Sequence, residues 1–254
     1  MAKKKTAKKA KRKPTAKAKP AAKVLHDVRF PGESKAYRAA RDNLLRAEMD
    51  LRREIEKVAA LRRKLPLGGV VPEDYRFEED IAPLGGVPEI REVRLSELFD
   101  KNASLIVYSF MFGPAMPNAC PSCTSILDSM NGAARHVMQH INLAVVAKSP
   151  IHRIREFAYT RGWYNLRLLS SAKNSYNRDY HGESASGSQL PNLNVFTRRN
   201  GKIHHVFSTE LLFAPKEPGQ DHRHVDIIWP VWNLYDFTPE GRGAKWYPQL
   251  SYGV

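Results

Sequence analysis

The spacing of hydrophobic residues changes near position 120, in the middle of the chain. A run that is apolar apart from Ser109 covers residues 105–112 and indicates a buried strand. Beyond a loop at 113–117 that contains Gly and Pro, apolar residues share one helical stripe between Ile126 and Met138. The sequence therefore predicts a strand, a loop and a helix in direct succession.

Strand and helix patterns continue to alternate after this point. Asn200-Gly201 separates two alternating segments, 193–198 and 203–208, which is a strong signal for a β-hairpin. Strand–helix–strand–helix order favours a parallel sheet with right-handed crossovers, so we expect an α/β fold with a central mixed sheet flanked by helices. The other expected elements are short strands near 75–77, 92–95 and 166–169, a capped turn at 96–99, a buried strand at 141–147, a helix that begins at Ser149-Pro150, and a partly helical cover at 225–237 that Pro230 interrupts.

A different period marks residues 34–66. Apolar residues recur there at every seventh position, namely Tyr37, Leu44, Leu51, Val58 and Leu65. This spacing predicts one long amphipathic helix that stops at Pro66, although Arg41 and Glu54 interrupt the seam. The apolar stripe either packs on the chain's own domain or pairs with a second copy to form a homodimer.

Charge is distributed unevenly along the 254 residues, which carry a formal net charge of +15. Residues 1–23 hold ten Lys and one Arg without an acidic residue, whereas residues 66–254 hold nineteen basic and nineteen acidic residues. A segment made of Lys, Ala, Pro and Thr cannot bury a core, so we expect it to be disordered. We divide the chain into a basic tail at 1–33, the long helix at 34–66 and a folded domain at 67–254.

A polycationic tail contacts nucleic-acid phosphates without reading their sequence, so residues 1–23 predict non-specific binding to DNA or RNA. The alternative is an extension that only improves solubility. No apolar run has the length of a membrane span, and the basic N-terminus has no hydrophobic segment behind it. The sequence therefore predicts a cytoplasmic protein without membrane contact, associated with the nucleoid if the tail binds DNA.

The only two cysteines stand together as Cys120-Pro121-Ser122-Cys123, where the predicted helix begins. Unpaired N–H groups at a helix start favour negative charge and lower the pKa of a thiol there. Cys120 is then the reactive thiolate, and Cys123, about one turn further along, is the thiol that closes the disulfide. Pro121 suits the first helical turn, where its missing N–H costs nothing.

Two other interpretations of the cysteine pair remain open. The pair is half of a zinc site if histidines complete it, and the candidates are His204, His205, His222 and His224. The cysteines are alternatively inert members of the core, because free cysteine is often buried. The placement between a strand and a helix favours a dithiol–disulfide redox centre, for which no cofactor and no metal is expected.

Several separated motifs, in this order, resemble a bacterial family of thioredoxin-like proteins that is catalogued as domain of unknown function 899. The resemblance covers about residues 35–243 and is carried by residues 108–114, 120–123, 142–146, 161–163, 169–171, 190–191 and 234–239. It implies a thioredoxin-like fold and two candidate redox cysteines. In such a fold the proline that enters the later strand faces the cysteine pair, commonly after a cis peptide bond. The resemblance therefore implies that the Leu190–Pro191 bond is cis and lies next to the cysteines.

The resemblance also suggests which residues form a substrate groove. Leu190 and Pro191 would shape it, with Tyr108, Phe110 and Phe112 on the strand that leads to the cysteines and at its end. Trp163 would shield one side unless it is only structural. The expected substrate is a protein disulfide or a small disulfide. We expect a thiol–disulfide oxidoreductase.

Two other functions compete with this expectation. One is a peroxiredoxin-like thiol peroxidase, although the P-x-x-x-T-x-x-C pattern is absent because Pro121 stands seven residues after Pro114. The other is a non-enzymatic redox or copper-binding protein that the basic tail tethers to nucleic acid. His204 and His205 would then be additional metal ligands.

Overall fold

A computed structural model describes residues 24–220, 227–243 and 245–253. The chain divides into two units, with the boundary between Arg63 and Lys64, and each is described by itself. The predictions for residues 1–23 lie outside the described residues.

The first unit contains one long helix, α1 (Lys35–Arg63). It begins after Ser34, whose hydroxyl accepts a hydrogen bond of 3.1 Å from the backbone N–H of Tyr37, as N-cap residues do. Arg38 pairs with Glu33 at 3.5 Å and with Asp42 at 3.3 Å, which ties the preceding segment to the first turn. None of the helix residues is buried. The homodimer through this helix stays a prediction.

The second unit is built on a seven-stranded mixed sheet in the order β2-β1-β5-β4-β3-β6-β7. Strands β3, β4 and β5 are parallel, and the remaining pairs are antiparallel. The strands are β1 (Arg76–Asp80), β2 (Ile90–Arg94), β3 (Ser104–Phe110), β4 (Asn142–Ala147), β5 (Leu168–Ser170), β6 (Asn192–Arg199) and β7 (Lys202–Ser208).

Two helices connect the parallel strands. Helix α2 (Pro121–Val137) follows β3, and α3 (Ile151–Arg161) follows β4. Two shorter helices are α4 (Tyr176–Asp179) and α5 (Pro230–Asp236), and single turns of 3₁₀-helix lie at Leu95–Leu98 and Glu210–Leu212. A strand–helix–strand–helix unit that continues into an antiparallel hairpin is a thioredoxin-like arrangement, so the predicted fold class is confirmed.

The sheet separates two cores, because successive side chains of a strand point to opposite faces. On β3, Tyr108 and Phe110 join the core that α2 and α3 cover. Leu105 and Val107 join the other core, which is rich in tyrosine and phenylalanine. We call the side of the sheet with the first core, which contains Cys123, the cysteine face. The side with the second core is the opposite face.

The prediction that Pro230 interrupts a helical segment in the C-terminal region was wrong. Pro230 does not interrupt a helix but occupies the first turn of α5. The reason is that the first turn has no intrahelical acceptor for its N–H groups, so proline loses nothing there. Within the described ranges, every helix is too short or too polar to span a bilayer.

Candidate active site

The cysteine motif lies where strand β3 passes into helix α2. Cys120 is the N-cap residue of α2, and Pro121 is its first helical residue. The backbone N–H of Cys120 donates to the carbonyl of Met111 at 3.1 Å, and the Cys120 carbonyl accepts from the backbone N–H of Thr124 at 3.0 Å. The backbone of Cys120 is therefore held on both sides, at the helix start that the local sequence predicted.

Arg153 of α3 holds the loop that leads to this helix. Its guanidinium donates to the carbonyl of Met116 at 2.8 Å and, at 3.3 to 3.4 Å, to the carbonyls of Gly113, Pro114 and Pro117. The same group lies 4.5 Å from the ring centroid of Phe112. Sequence reasoning missed Arg153, because a single basic residue on a predicted helix does not reveal which carbonyl groups it will meet.

The two thiols differ in exposure and in charge preference. Cys120 is half-buried, whereas Cys123 is 1% exposed. A hydrogen bond from the Cys123 thiol is the main reason why the pKa of Cys120 is lowered to about 6. The backbone N–H groups of Cys123 and Ser122 lower this pKa further, whereas burial raises it. The hydrogen bond to Cys120, and then burial, raise the pKa of Cys123 well above its ordinary value. At neutral pH Cys120 is thus the thiolate and Cys123 the thiol.

Two tyrosines border the motif. The sequence placed Tyr108 on the strand that leads to the cysteines, whereas it did not indicate Tyr247. The hydroxyl of Tyr108 on β3 is buried and faces the Cys123 thiol. The hydroxyl of Tyr247, in the C-terminal segment, accepts a hydrogen bond from Ser122. A further contact of this region is the Trp229 indole, which donates to the hydroxyl of Ser125 at 2.9 Å. The C-terminal residues thus reach the first turns of α2.

The expected groove segment reaches the same end of the sheet, but its geometry differs from the expectation. The Leu190–Pro191 peptide bond is trans, as are all peptide bonds among the described residues, so the cis prediction was wrong. Trans is the lower-energy form of an X–Pro bond, and the ladder with β3 begins directly afterwards, where Asn192 pairs with Ser109. A Cβ atom placed on Gly113 would lie 2.8 Å from Cγ of Gln189, so this segment runs beside the loop.

Four of the predicted groove residues have different surroundings. Leu190 and Pro191 are half-buried. Phe112 is buried beneath Arg153, and Trp163, at 1% exposure, packs edge-on against Phe110. The indole of Trp163 also donates to Asp128 on α2 at 2.8 Å, which ties α2 to the end of α3. The structure thus places Phe112 and Trp163 inside the core and only Leu190 and Pro191 at an accessible position.

The described residues contain no group of three His, Cys, Asp or Glu side chains that could hold a metal ion. Both described histidines among the proposed ligands lie on β7. His204 contacts the carbonyl of Gly68 at 3.1 Å, and His205 contacts the side chain of Asn194 at 2.9 Å. His222 and His224 lie outside the described residues.

The fold defines a thioredoxin-like α/β protein, and two free cysteines lie where one of its helices begins. The family model described as "Bacterial protein of unknown function (DUF899)" matches residues 28–252, and the chain belongs to this family. The resemblance that the motifs suggested is therefore confirmed. A search among curated proteins found no match.

Several solved structures are similar to the chain. A reduced 2-Cys peroxiredoxin from Plasmodium vivax is 14% identical, with 67% of this chain and 100% of that chain covered and a TM-score of 0.40. The peroxidoxin BcpB from Mycobacterium tuberculosis is 17% identical, with 65% and 95% covered and a TM-score of 0.37. A structure described only as a peroxiredoxin is 12% identical, with 68% and 98% covered and a TM-score of 0.44.

Proposed function

We propose that this protein is a thiol–disulfide oxidoreductase whose redox centre is Cys120 and Cys123. The observation that carries the proposal is the opposite ionisation of the two thiols. Cys120 is accessible and has its pKa lowered to about 6, whereas Cys123 is buried and has a raised pKa. A nucleophile must be a thiolate that solvent can reach, and a resolving thiol must be withheld until it is needed.

The reaction has two steps. The Cys120 thiolate attacks one sulfur of a partner disulfide, so a Cys120–partner bond forms while the partner's other sulfur leaves as a thiolate and takes a proton from water. Cys123 then loses its proton and attacks the Cys120 sulfur. The Cys120–Cys123 bond forms, the bond to the partner breaks, and the released partner sulfur takes a proton. The dithiol is oxidised by two electrons and the partner disulfide is reduced to two thiols.

The substrate class is a protein disulfide or a small disulfide. Leu190 and Pro191 support this proposal because they are half-buried and continue β6 past its pairing with Ser109, beside the loop that ends at Cys120. An extended peptide could lie along this segment and present its disulfide to the thiolate. We no longer assign Phe112 and Trp163 to the groove, because both are interior.

Two substitutions test the proposal on the full chain. Cys120→Ser should abolish reduction of a model disulfide such as insulin, a loss of more than about a hundredfold, because no nucleophile remains. Cys123→Ser should keep the first attack and accumulate a mixed disulfide that a reducing agent releases. Retained turnover by Cys120→Ser would refute the assignment. Cys120-dependent consumption of hydrogen peroxide without disulfide exchange would assign a thiol peroxidase instead.

A second function is proposed for the basic tail. The eleven positive charges of residues 1–23 have no acidic residue among them, and the charges of residues 66–254 cancel. Phosphate contacts release counterions, so we expect the logarithm of duplex affinity to fall with the logarithm of salt at about −0.9 per phosphate contacted. Residues 1–23 should thus supply most of the affinity for DNA, with no preference for sequence.

Deletion of residues 1–23 tests the tail separately from the thiols. The deleted chain should lose most of its DNA affinity and its salt dependence in a fluorescence-anisotropy titration, while disulfide exchange is unchanged. The basic excess of residues 35–65 is the competing source of binding. A steep salt dependence that survives the deletion would assign the binding to that helix.

A further inference from the structure

The resolving thiol presents a chemical difficulty that the cysteine motif by itself does not solve. Cys123 is 1% exposed, and burial disfavours its ionised form. Its attack on the mixed disulfide nevertheless requires a thiolate. Some group beside Cys123 must therefore accommodate negative charge at a position with very little access to water.

Tyr108 is placed to do this. Its side chain projects from β3 into the same core as Cys123 and is also 1% exposed. The hydroxyl makes no hydrogen bond among the described residues, and neither does that of Tyr176 on the opposite face. The group that the Tyr108 hydroxyl faces is the Cys123 thiol. A buried hydroxyl without a hydrogen-bond partner is uncommon, because an unsatisfied donor costs free energy. Its proton is therefore available to the neighbouring sulfur.

We propose that Tyr108 is a catalytic residue that donates a hydrogen bond to the Cys123 sulfur whenever this sulfur carries negative charge. The inference rests on the proposed thiol–disulfide exchange and adds a residue to its second step. As Cys123 loses its proton to solvent, the Tyr108 hydroxyl keeps its own proton and points it at the new thiolate. When the Cys120–Cys123 bond has formed, the charge has moved to the departing partner sulfur and the hydrogen bond to Cys123 weakens.

The surrounding titratable groups agree with this role. Burial, and then Cys123, raise the pKa of Tyr108 well above its ordinary value, and Cys120 and Tyr247 add to the rise. Tyr108 therefore stays protonated throughout the neutral range and acts as a donor rather than a base. Cys120 and burial raise the pKa of Cys123. The Tyr108 hydroxyl and the backbone N–H of Met111 lower it.

The mixed disulfide makes Tyr108 more important than it is in the resting protein. In that intermediate Cys120 is bonded to the partner and carries no charge, so its effect on Cys123 is removed. Burial then opposes ionisation of Cys123, and the hydroxyl of Tyr108 and the Met111 N–H favour it. Of these groups only Tyr108 acts through a side chain that can be altered without changing the backbone.

Stopped-flow reaction of the reduced full chain with a chromogenic aromatic disulfide (dithiobis-nitrobenzoate) separates the two steps. The first release of nitrothiobenzoate reports attack by Cys120 and depends on reagent concentration. The second release reports attack by Cys123 on the mixed disulfide and does not depend on reagent concentration.

Tyr108→Phe should leave the rate of the first phase within about twofold of wild type and slow the second phase about three- to tenfold at neutral pH. The loss of a hydrogen bond to a charged group raises the thiol pKa, and the higher nucleophilicity compensates only in part.

Tyr176→Phe is the matched control, because Tyr176 is fully buried in the core on the opposite face. It should change neither phase. A second phase that is unchanged by Tyr108→Phe, or slowed equally by Tyr176→Phe, would overturn the inference. A missing first phase in the wild type would instead refute the proposed function.

If Tyr108→Phe fails to fold, 3-fluorotyrosine placed at position 108 supplies a stronger hydrogen-bond donor of nearly the same shape. The second phase should then be faster, and no change would overturn the inference.

Discussion

The two faces of the central sheet bury tyrosines in similar surroundings but place different polar groups beside their hydroxyls. Tyr108, on the cysteine face, meets the Cys123 thiol. Tyr176, on the opposite face, lies among aromatic rings, and, against the larger effect of burial, the side chain of Asn194 lowers the pKa of its hydroxyl. Burial raises the pKa of both hydroxyls well above the ordinary value. Burial therefore does not distinguish a functional tyrosine from a structural one, and the neighbouring group does.

Helix α3 provides a second comparison of the same kind. Arg153 binds four carbonyl groups of the loop that leads to Cys120. Arg155 binds the carbonyls of Ala82, Pro83 and Gly86, and it pairs with Asp80 in a part of the chain that contains no cysteine. Both arginines fix a loop, but only the loop of Arg153 leads to a thiol. Substitutions at the two positions should separate effects on stability from effects on chemistry.

The largest loss of stability is expected for Arg155→Met. Asp80 would keep a buried charge without its partner, and three carbonyl groups would lose their donor, so the free energy of unfolding should fall by about 3–5 kcal/mol. Denaturant titration measures this loss. The rate of Cys120 alkylation in the folded variant should stay within about twofold of wild type. A tenfold slower alkylation would show that the two loops are not independent.

Arg153→Met should have a smaller effect on stability and a larger one on reactivity. The variant loses hydrogen bonds to a partly exposed loop and the contact with Phe112, which we expect to cost about 1–3 kcal/mol. Because this loop sets the position of the Cys120 backbone, alkylation of Cys120 should slow by about tenfold. The comparison with Arg155→Met fails if Arg153→Met is destabilised but retains the wild-type rate of alkylation.

A further prediction concerns the stability of the reduced protein as a function of pH. The pKa of Cys120 is lowered in the folded chain to about 6, whereas in the unfolded chain it is near 8.5. The thiolate therefore stabilises the fold fully above pH 8.5, and this contribution is lost as the pH falls towards 6. The melting temperature of the reduced wild type, relative to that of Cys120→Ser, should decrease by a few degrees over this range. A constant difference would contradict the lowered pKa.

Local features of the sequence predicted much of this molecule. The apolar run before the cysteines became β3, and the helical stripe after them became α2, because both signals come from neighbouring residues. The Asn-Gly turn correctly marked the hairpin of β6 and β7. The short helix α4 was not predicted, because four residues give no recognisable period.

Contacts between distant parts of the chain could not be predicted in the same way. Ser122 and Tyr247 are 125 positions apart, and Arg153 lies 37 positions beyond Met116. Such partners are chosen by the packing of complete elements, and no spacing in the sequence encodes them. The error at Pro191 arose differently, because the cis bond was taken from the resemblance to thioredoxin-like proteins rather than from the residues.

The central claim is that Cys120 is a thiolate at neutral pH while Cys123 is not. The most direct test is the pH dependence of alkylation of the reduced protein by iodoacetamide, with each cysteine quantified by peptide mass spectrometry. Cys120 should react rapidly, with a half-maximal rate near pH 6, and Cys123 should stay unmodified while the fold is intact. A half-maximal rate near the ordinary value of about 8.5, or equal modification of both cysteines, would contradict the claim.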